Sequence, residues 1–262
     1  MRRSFLTPAL WIPAGLAIAL LGLPLVALIV RAPWVQLPEL LSRSEVLQAL
    51  GLSLATASIA TAVSLALGIP LALVLARSAE WPAVPRRLLR ALVTVPLVLP
   101  PVVGGVALLL LLGRRGLIGQ FLPFQIPFST TAVVIAQVFV AMPFLVLAVE
   151  GAVRASDRRF ETAAATLGAT RWTILRRVTL PLVAPGVSAG ALLCFTRALG
   201  EFGATITFAG SFPGVTQTLP IATYLELQRD PDAAIALSLT LMVVSVAVLV
   251  TLRDRWVPGV TS

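Results

Sequence analysis

Apolar runs long enough to cross a bilayer recur along this chain, and nothing else in the sequence restricts its fold as strongly. They lie at 6–30, 46–76, 91–113, 131–149, 187–208 and 233–252. A hydrocarbon core about 30 Å thick needs roughly 20 apolar residues per helix, so the spacing predicts six transmembrane helices. Inside a membrane the backbone must satisfy its own hydrogen bonds, which makes the expected class all-α. The composition agrees, with 58% of residues hydrophobic and 12% charged. The run at 6–30 is too long for a signal peptide and "PWVQLPELL" makes a poor cleavage site, so it is read as a helix.

Charge placement sets the expected orientation. The 20 basic residues are all arginine. Fourteen of them fall at the N-terminus, in 77–90, in 153–185 and at the C-terminus. Five (Arg31, Arg43, Arg114, Arg115 and Arg229) fall on the opposite side, and Arg197 lies within a span. Positive charge concentrates in cytoplasmic loops, so both termini and the segment 153–185 are expected to face the cytoplasm. A net charge of +9 also suits nucleic-acid binding, but arginines confined to short loops between spans argue against that partner. The single cysteine, Cys194, excludes an intramolecular disulfide and reads as a small core residue.

The polar stretch "SDRRFETAAATLGATRWTILRRVTLPLVAPG", residues 156–186, interrupts this pattern. Ser156 or Asp157 can cap a helix start. Phe160, Ala163, Ala164 and Leu167 then fall on one apolar stripe. Gly168 suits a left-handed helix end. Thr170 can cap a second short helix carrying Trp172, Leu175 and Val178, which Pro181 and Pro185 are expected to end. A helix of about ten residues is marginal alone, so a surface must hold it: membrane lipid or a cytoplasmic partner.

The spacing of this stretch resembles the EAA loop of the permease subunits of ATP-binding-cassette importers. Ala163 and Ala164 are followed by Gly168, then nine residues, then Val178, Thr179, Leu180 and Pro181. Val178 stands where isoleucine is usual. Thr162 stands at the usual glutamate position, and Glu161 comes one place earlier. The stretches "TVPLVLPPVVGGVALLLLLGRRGLIG" and "FTRALGEFGATITFAGSFPGVTQTLPIATY" resemble molybdate importer permeases, with sulfate importer permeases close behind. The likeness covers roughly 47–252. It implies an N-terminal helix and outer loop over 1–45, a permease domain over 46–252 and a cytoplasmic tail over 253–262. It also implies a second copy of the chain, two cytoplasmic ATPase subunits and an extracytoplasmic oxyanion-binding protein. Phe160, Glu161, Ala163, Ala164, Leu167, Gly168, Val178, Leu180 and Pro181 would form the ATPase-coupling loop. The chain has no lysine, which a Walker A loop requires, so ATP and Mg are expected on the separate ATPase subunit, with no cofactor on this chain.

Two charges fall inside the fifth span. Arg197 and Glu201 are four apart and share a helical face. A charge at mid-bilayer costs about 2.5–3.5 kcal/mol on insertion scales, so the pair must face protein or water. Arg197 either meets a dianion in the pathway or only partners Glu201 between helices. Thr205 and Thr207 would line the same route. Pro96, Pro100 and Pro101 with Gly104 and Gly105 predict a broken third span beside the fifth, so Pro100 and Pro101 join the pathway candidates. A secondary transporter would need coupling-ion ligands, and Glu201 and Glu150 are nearly all the spans offer. A hydrolase would need a base or a metal site, and the chain has no histidine.

Overall fold

The computed structural model describes residues 10–256; of Leu249 and the residues from 251 onward only the backbone is described. Arg2, Arg3, the start of the expected first span and residues 257–262 of the expected tail lie outside the described residues. Twelve α-helices follow one another, with no strand among the described residues. They are α1 (Trp11–Val30), α2 (Leu37–Ser42), α3 (Ser44–Arg77), α4 (Ala83–Val98), α5 (Pro101–Leu112) and α6 (Thr130–Ala155). Then come α7 (Arg159–Thr166), α8 (Arg171–Ile174), α9 (Leu180–Leu199), α10 (Gly203–Ala209), α11 (Leu219–Leu227) and α12 (Pro231–Trp256). Among the described residues five helical stretches are long and apolar enough to span a membrane, and a sixth if α4 and α5 count as one bent span.

The core is a bundle of α3, α6 and α9. Lipid tails are as apolar as leucine, so helices in a membrane gain most by close packing of small side chains. α3 supplies them along one stripe: Ala49, Ser53, Ala57, Ala60, Ser64, Gly68 and Ala72 are all buried. A Cβ at Gly68 would come within 3.1 Å of Leu145 on α6. Leu145, Val146 and Val149 of α6 and Cys194 and Ala198 of α9 complete the cluster. Two threonines beside the stripe bond back to their own helix: Thr56 Oγ1 donates to Leu52 O (2.8 Å) and Thr61 Oγ1 to Ala57 O (2.7 Å). Ser53 Oγ instead accepts from Leu219 N at 2.7 Å, which ties α11 to the bundle. α11 and α12 pack on the N-terminal end of α3 through Ala49, Leu219, Ala222 and Leu237. α1 stands apart, with none of its residues buried.

Two expected spans are not single helices. The third, expected over 91–113, starts earlier, at Ala83, and stops after Val98. It resumes at Pro101 with its axis turned by 117°. The cause is local. A residue before proline is pushed out of the α region, and here two such residues follow each other. Leu99 has ψ 133° and Pro100 ψ 133°. Pro96 stays inside α4. The fifth span, expected over 187–208, also breaks. α9 ends at Leu199, and Gly200, Glu201 and Phe202 lead into α10.

Pro181 and Pro185 do not end the loop's second helix, contrary to expectation. Arg171–Leu199 is one helical stretch of 29 residues. Its backbone widens to a π-helix over Leu175–Thr179, just before Pro181. Proline removes an i→i−4 bond and crowds that carbonyl, and a π turn loosens the ladder where the ring arrives.

Candidate functional site

The loop over 156–186 is built by capping. Asp157 Oδ1 accepts from Arg159 N at 2.9 Å and starts α7. α7 ends in a Schellman motif at Gly168, whose φ is +81°. Gly168 N donates to Ala165 O (3.0 Å) and Ala169 N to Ala164 O (3.1 Å), the two bonds that define it. Thr170 Oγ1 then accepts from Thr173 N at 3.2 Å and starts α8. Of the expected apolar stripe, Phe160, Ala163 and Leu167 are exposed and Ala164 is half-buried. Phe160 is 58% exposed, Leu167 88% and Trp172, across the turn, 68%. Three large apolar side chains on a polar loop are thus left exposed. Val178 and Leu180 are half-buried where the loop re-enters the bundle, and Pro181 is exposed.

Glu161 has a different job from those side chains. Its Oε1 accepts from Thr179 Oγ1 at 2.6 Å and meets Arg77 Nη2 at 3.3 Å. It therefore ties the first turn of α7 to the π turn before α9 and to the end of α3. Thr162, at the usual glutamate position, only bonds back to Arg158 O (3.1 Å).

The two broken spans meet where they break. A Cβ at Gly203 would lie 2.9 Å from Pro101 Cβ, and one at Gly105 would lie 2.7 Å from Thr207 Cβ and 2.8 Å from Ala204 O. Irregular backbone at membrane depth survives only where protein or a water-filled cavity covers it, and α5, α6 and α10 cover it here around Leu108, Val140, Ala204 and Phe208. Pro100 and Pro101 are exposed on the outside of this junction.

Arg197 and Glu201 span the second break. Arg197 Nη2 lies 2.6 Å from Glu201 Oε2, and Glu201 Oε1 accepts from Ala204 N at 2.8 Å. Glu201 thus holds the last turn of α9 and the first turn of α10 together. It is buried, while the Arg197 side chain keeps 27% of its surface. Thr205 and Thr207 do not share a face. Thr205 is buried, and Thr207 is half-buried and donates to Gly203 O.

Sequence reasoning missed a second charge cluster, near the C-terminal end of α6. Glu150 Oε1 lies 2.5 Å from Arg90 Nη2 and 2.8 Å from Arg154 Nε. The Glu150–Arg154 half follows from i,i+4 spacing, but nothing local places Arg90 of α4 against α6.

The chain matches the model of the family described as "Binding-protein-dependent transport system inner membrane component" over residues 68–258. It is 50% identical over 248 residues to the "Molybdenum transport system permease protein ModB" of Mycobacterium tuberculosis, covering 94% of this chain and 93% of that one. It is 33% identical over 247 residues to the "Sulfate transport system permease protein CysT" of Escherichia coli, covering 90% and 88%. Among solved structures, a bacterial ABC transporter involved in the import of the acidic polysaccharide alginate superposes with a TM-score of 0.72 at 16% identity, covering 94% of this chain and 93% of that one. A family of membrane subunits that serve a separate binding protein accounts for a helical bundle that crosses the bilayer several times and leaves apolar side chains of a polar loop exposed, and this chain belongs to the binding-protein-dependent transport system inner membrane components.

Proposed function

We propose that the chain is the membrane-spanning subunit of an ATP-driven importer for a tetrahedral oxyanion, molybdate or its tungstate analogue. The observation that carries the reading is the 50% identity to a molybdenum permease across nearly the whole chain, against 33% to the sulfate permease. Two copies would enclose the pathway. An extracytoplasmic binding protein would deliver the anion, and two cytoplasmic ATPase subunits would hold ATP and Mg. Both termini and the 156–186 loop would face the cytoplasm.

The loop's geometry supports coupling. Phe160, Leu167 and Trp172 offer an apolar anchor for a groove on the ATPase subunit. Glu161 passes the displacement to α3 and α9 through Arg77 and Thr179. α9 runs as one continuous helix to Arg197, at the break. There Arg197 is a partly exposed cation whose remaining N–H groups suit an oxyanion. Glu201 neutralises it, and a weak site lets the anion leave.

The test is uptake into vesicles carrying the chain with its ATPase and binding-protein partners. Uptake of radiolabelled molybdate that requires ATP, and that excess tungstate suppresses while excess sulfate does not, is expected. Equal suppression by sulfate would shift the reading to a sulfate permease. Uptake that persists with the ATPase subunit omitted would make the chain a secondary anion transporter. A cysteine placed at Ala155 in a Cys194→Ala background should react with impermeant thiol reagents only from the cytoplasmic side.

A further inference from the structure

The cluster of Arg90, Glu150 and Arg154 lies away from both the loop's apolar face and the Arg197–Glu201 break. We propose that it is a releasable latch which positions α4 during the transport cycle, with Arg154 holding Glu150 throughout and Arg90 as the part that lets go. The proposal rests on the importer reading above.

α4 is built to move. Of its described residues only Val93 is fully buried. Its apolar face (Val84, Leu88, Leu92 and Val95) is exposed along the helix. At its C-terminal end it joins α5 through two extended residues, Leu99 and Pro100, and a turn of 117°. A helix with one buried anchor and a non-helical joint is a lever, and hinges of this kind absorb motion at a few element-terminal residues.

Arg90 is the strong polar attachment of that lever to the body. It reaches Glu150 on α6, the helix with the most buried face, and Glu150 is only 5% exposed. A carboxylate this buried is costly to leave unpaired. If Arg90 were its sole partner, releasing α4 would strand the charge, and the latch would be permanent. Arg154 removes that barrier. It sits one turn along the same helix, bonds the same oxygen at 2.8 Å, and donates its Nη2 to Leu75 O on α3 at 3.4 Å. Glu150 therefore stays compensated when Arg90 leaves. Two guanidiniums on one carboxylate also repel each other, and both are 46% exposed, but Arg154 is held as well by Leu75 O, so Arg90 is the one that turns to water at little cost.

The position of Arg154 connects the latch to the loop. It lies in the last turn of α6, three residues before Asp157, whose carboxylate accepts from Arg159 N at the start of α7. Its carbonyl partner Leu75 lies two residues before Arg77, which pairs with Glu161 of α7. A pull on α7 therefore reaches the same α3 and α6 ends that hold Glu150.

The experiment uses the full complex with its ATPase and binding protein in vesicles. It measures assembled complex, hydrolysis without binding protein, and molybdate imported per ATP. Arg90→Gln should assemble in wild-type amounts, raise basal hydrolysis about fivefold, as loss of a half-exposed pair allows, and lower anion imported per ATP. Arg90→Lys should restore most of the ratio. Arg154→Gln should move the other way: Glu150 then depends on Arg90 alone, α4 stays locked, and basal hydrolysis falls below wild type. Opposite signs from two arginines on one carboxylate would not arise from a merely structural role. Shifts of the same sign, or ratios that do not change in either variant, would overturn the latch. A wild-type complex without binding-protein-stimulated hydrolysis would instead overturn the importer reading, and the latch would fall with it.

Discussion

The α3–α6–α9 bundle and the junction of α5 with α10 both bring helices into close contact, but they do so with different backbones. The bundle uses three long helices that run on without a break past Pro70, Pro143 and Pro185, and small side chains let them approach. The junction uses two interrupted spans, and glycine lets backbone meet backbone. α5 has 12 residues, about 18 Å of helix, too short to cross the hydrocarbon alone. The difference lies in what each region can tolerate. At Gly68, where an added Cβ would meet only side chains, the bundle can relax around a methyl by moving them. A junction of backbone on backbone has nothing to move except the chain itself.

That contrast gives the largest expected effect. A Cβ at Gly105 would meet Thr207 Cβ at 2.7 Å and Ala204 O at 2.8 Å, and the second atom is backbone. A Cβ at Gly68 in the bundle would meet only side-chain atoms, the nearest at 3.1 Å. Gly105→Val should abolish assembled protein in the membrane, and overpacking in the bundle by Gly68→Ala should cost only about 1–3 kcal/mol. Quantifying folded protein after detergent extraction checks both. Equal losses would erase the distinction between the two regions.

The second expected effect tests whether charge at the junction is brace or site. Arg197→Gln leaves Glu201 buried beside Ala204 N without its cation, which costs about 3–5 kcal/mol in comparable pairs. Adding Glu201→Gln removes the stranded charge, so the double variant should recover abundance. Its molybdate uptake should stay low, because the partly exposed guanidinium is gone. Full recovery of uptake in the double variant would leave Arg197 as a brace only.

The two regions also differed in how well the sequence announced them. Apolar runs located the spans because the bilayer imposes one length on every helix. The consecutive prolines announced the break in the third span, although its sharp turn depends on both Leu99 and Pro100 leaving the α region. The break in the fifth span was hidden. Gly200 and Gly203 are common in membrane helices, and i,i+4 spacing made Arg197 and Glu201 look like one helical face. They do pair, but across the break. The continuation of α8 into α9 was hidden for the opposite reason: Pro181 and Pro185 read as stops, and no local rule foretold a π turn that accommodates them. In the loop, Gly168 and Thr170 were legible as caps because capping is local chemistry. The partners of Glu161, on α3 and before α9, are set by packing, as is Arg90 against Glu150.

The loop carries the next effect. Leu167→Asp replaces the most exposed apolar side chain of the proposed docking face with a charge. Burying that charge against the ATPase subunit would carry an effective penalty of several kcal/mol. The variant should insert normally, lose the ATPase subunit on purification and lose uptake. Ala164→Asp should act in the same direction. If both retain the ATPase subunit and uptake, the face rests on lipid head groups, and the coupling contact lies elsewhere.

The smallest effect isolates backbone from packing. Gly168 has open space around it, with nothing within 4 Å of an added Cβ, yet its φ is +81°. Gly51, on α3, also has nothing within 4 Å of an added Cβ, but it sits in an ordinary helix. Sterics therefore cannot separate Gly168→Ala from Gly51→Ala, and only the dihedral can. Alanine at 168 must hold a left-handed conformation at a cost of roughly 1–2 kcal/mol. Alanine at 51 should instead help by about 0.5–1 kcal/mol, because glycine inside a helix carries an entropic cost. The Schellman bonds from Gly168 N and Ala169 N are what keep α8 at its angle to α7, so the strain at 168 should appear as motion of the loop. Hydrogen exchange over 159–173 should quicken in Gly168→Ala and stay unchanged in Gly51→Ala, with the bundle's protection equal in both. Unchanged exchange at 168 would mean that the ends of α7 and α8 are fixed by their anchors at Asp157, Glu161 and Thr170 rather than by the turn between them.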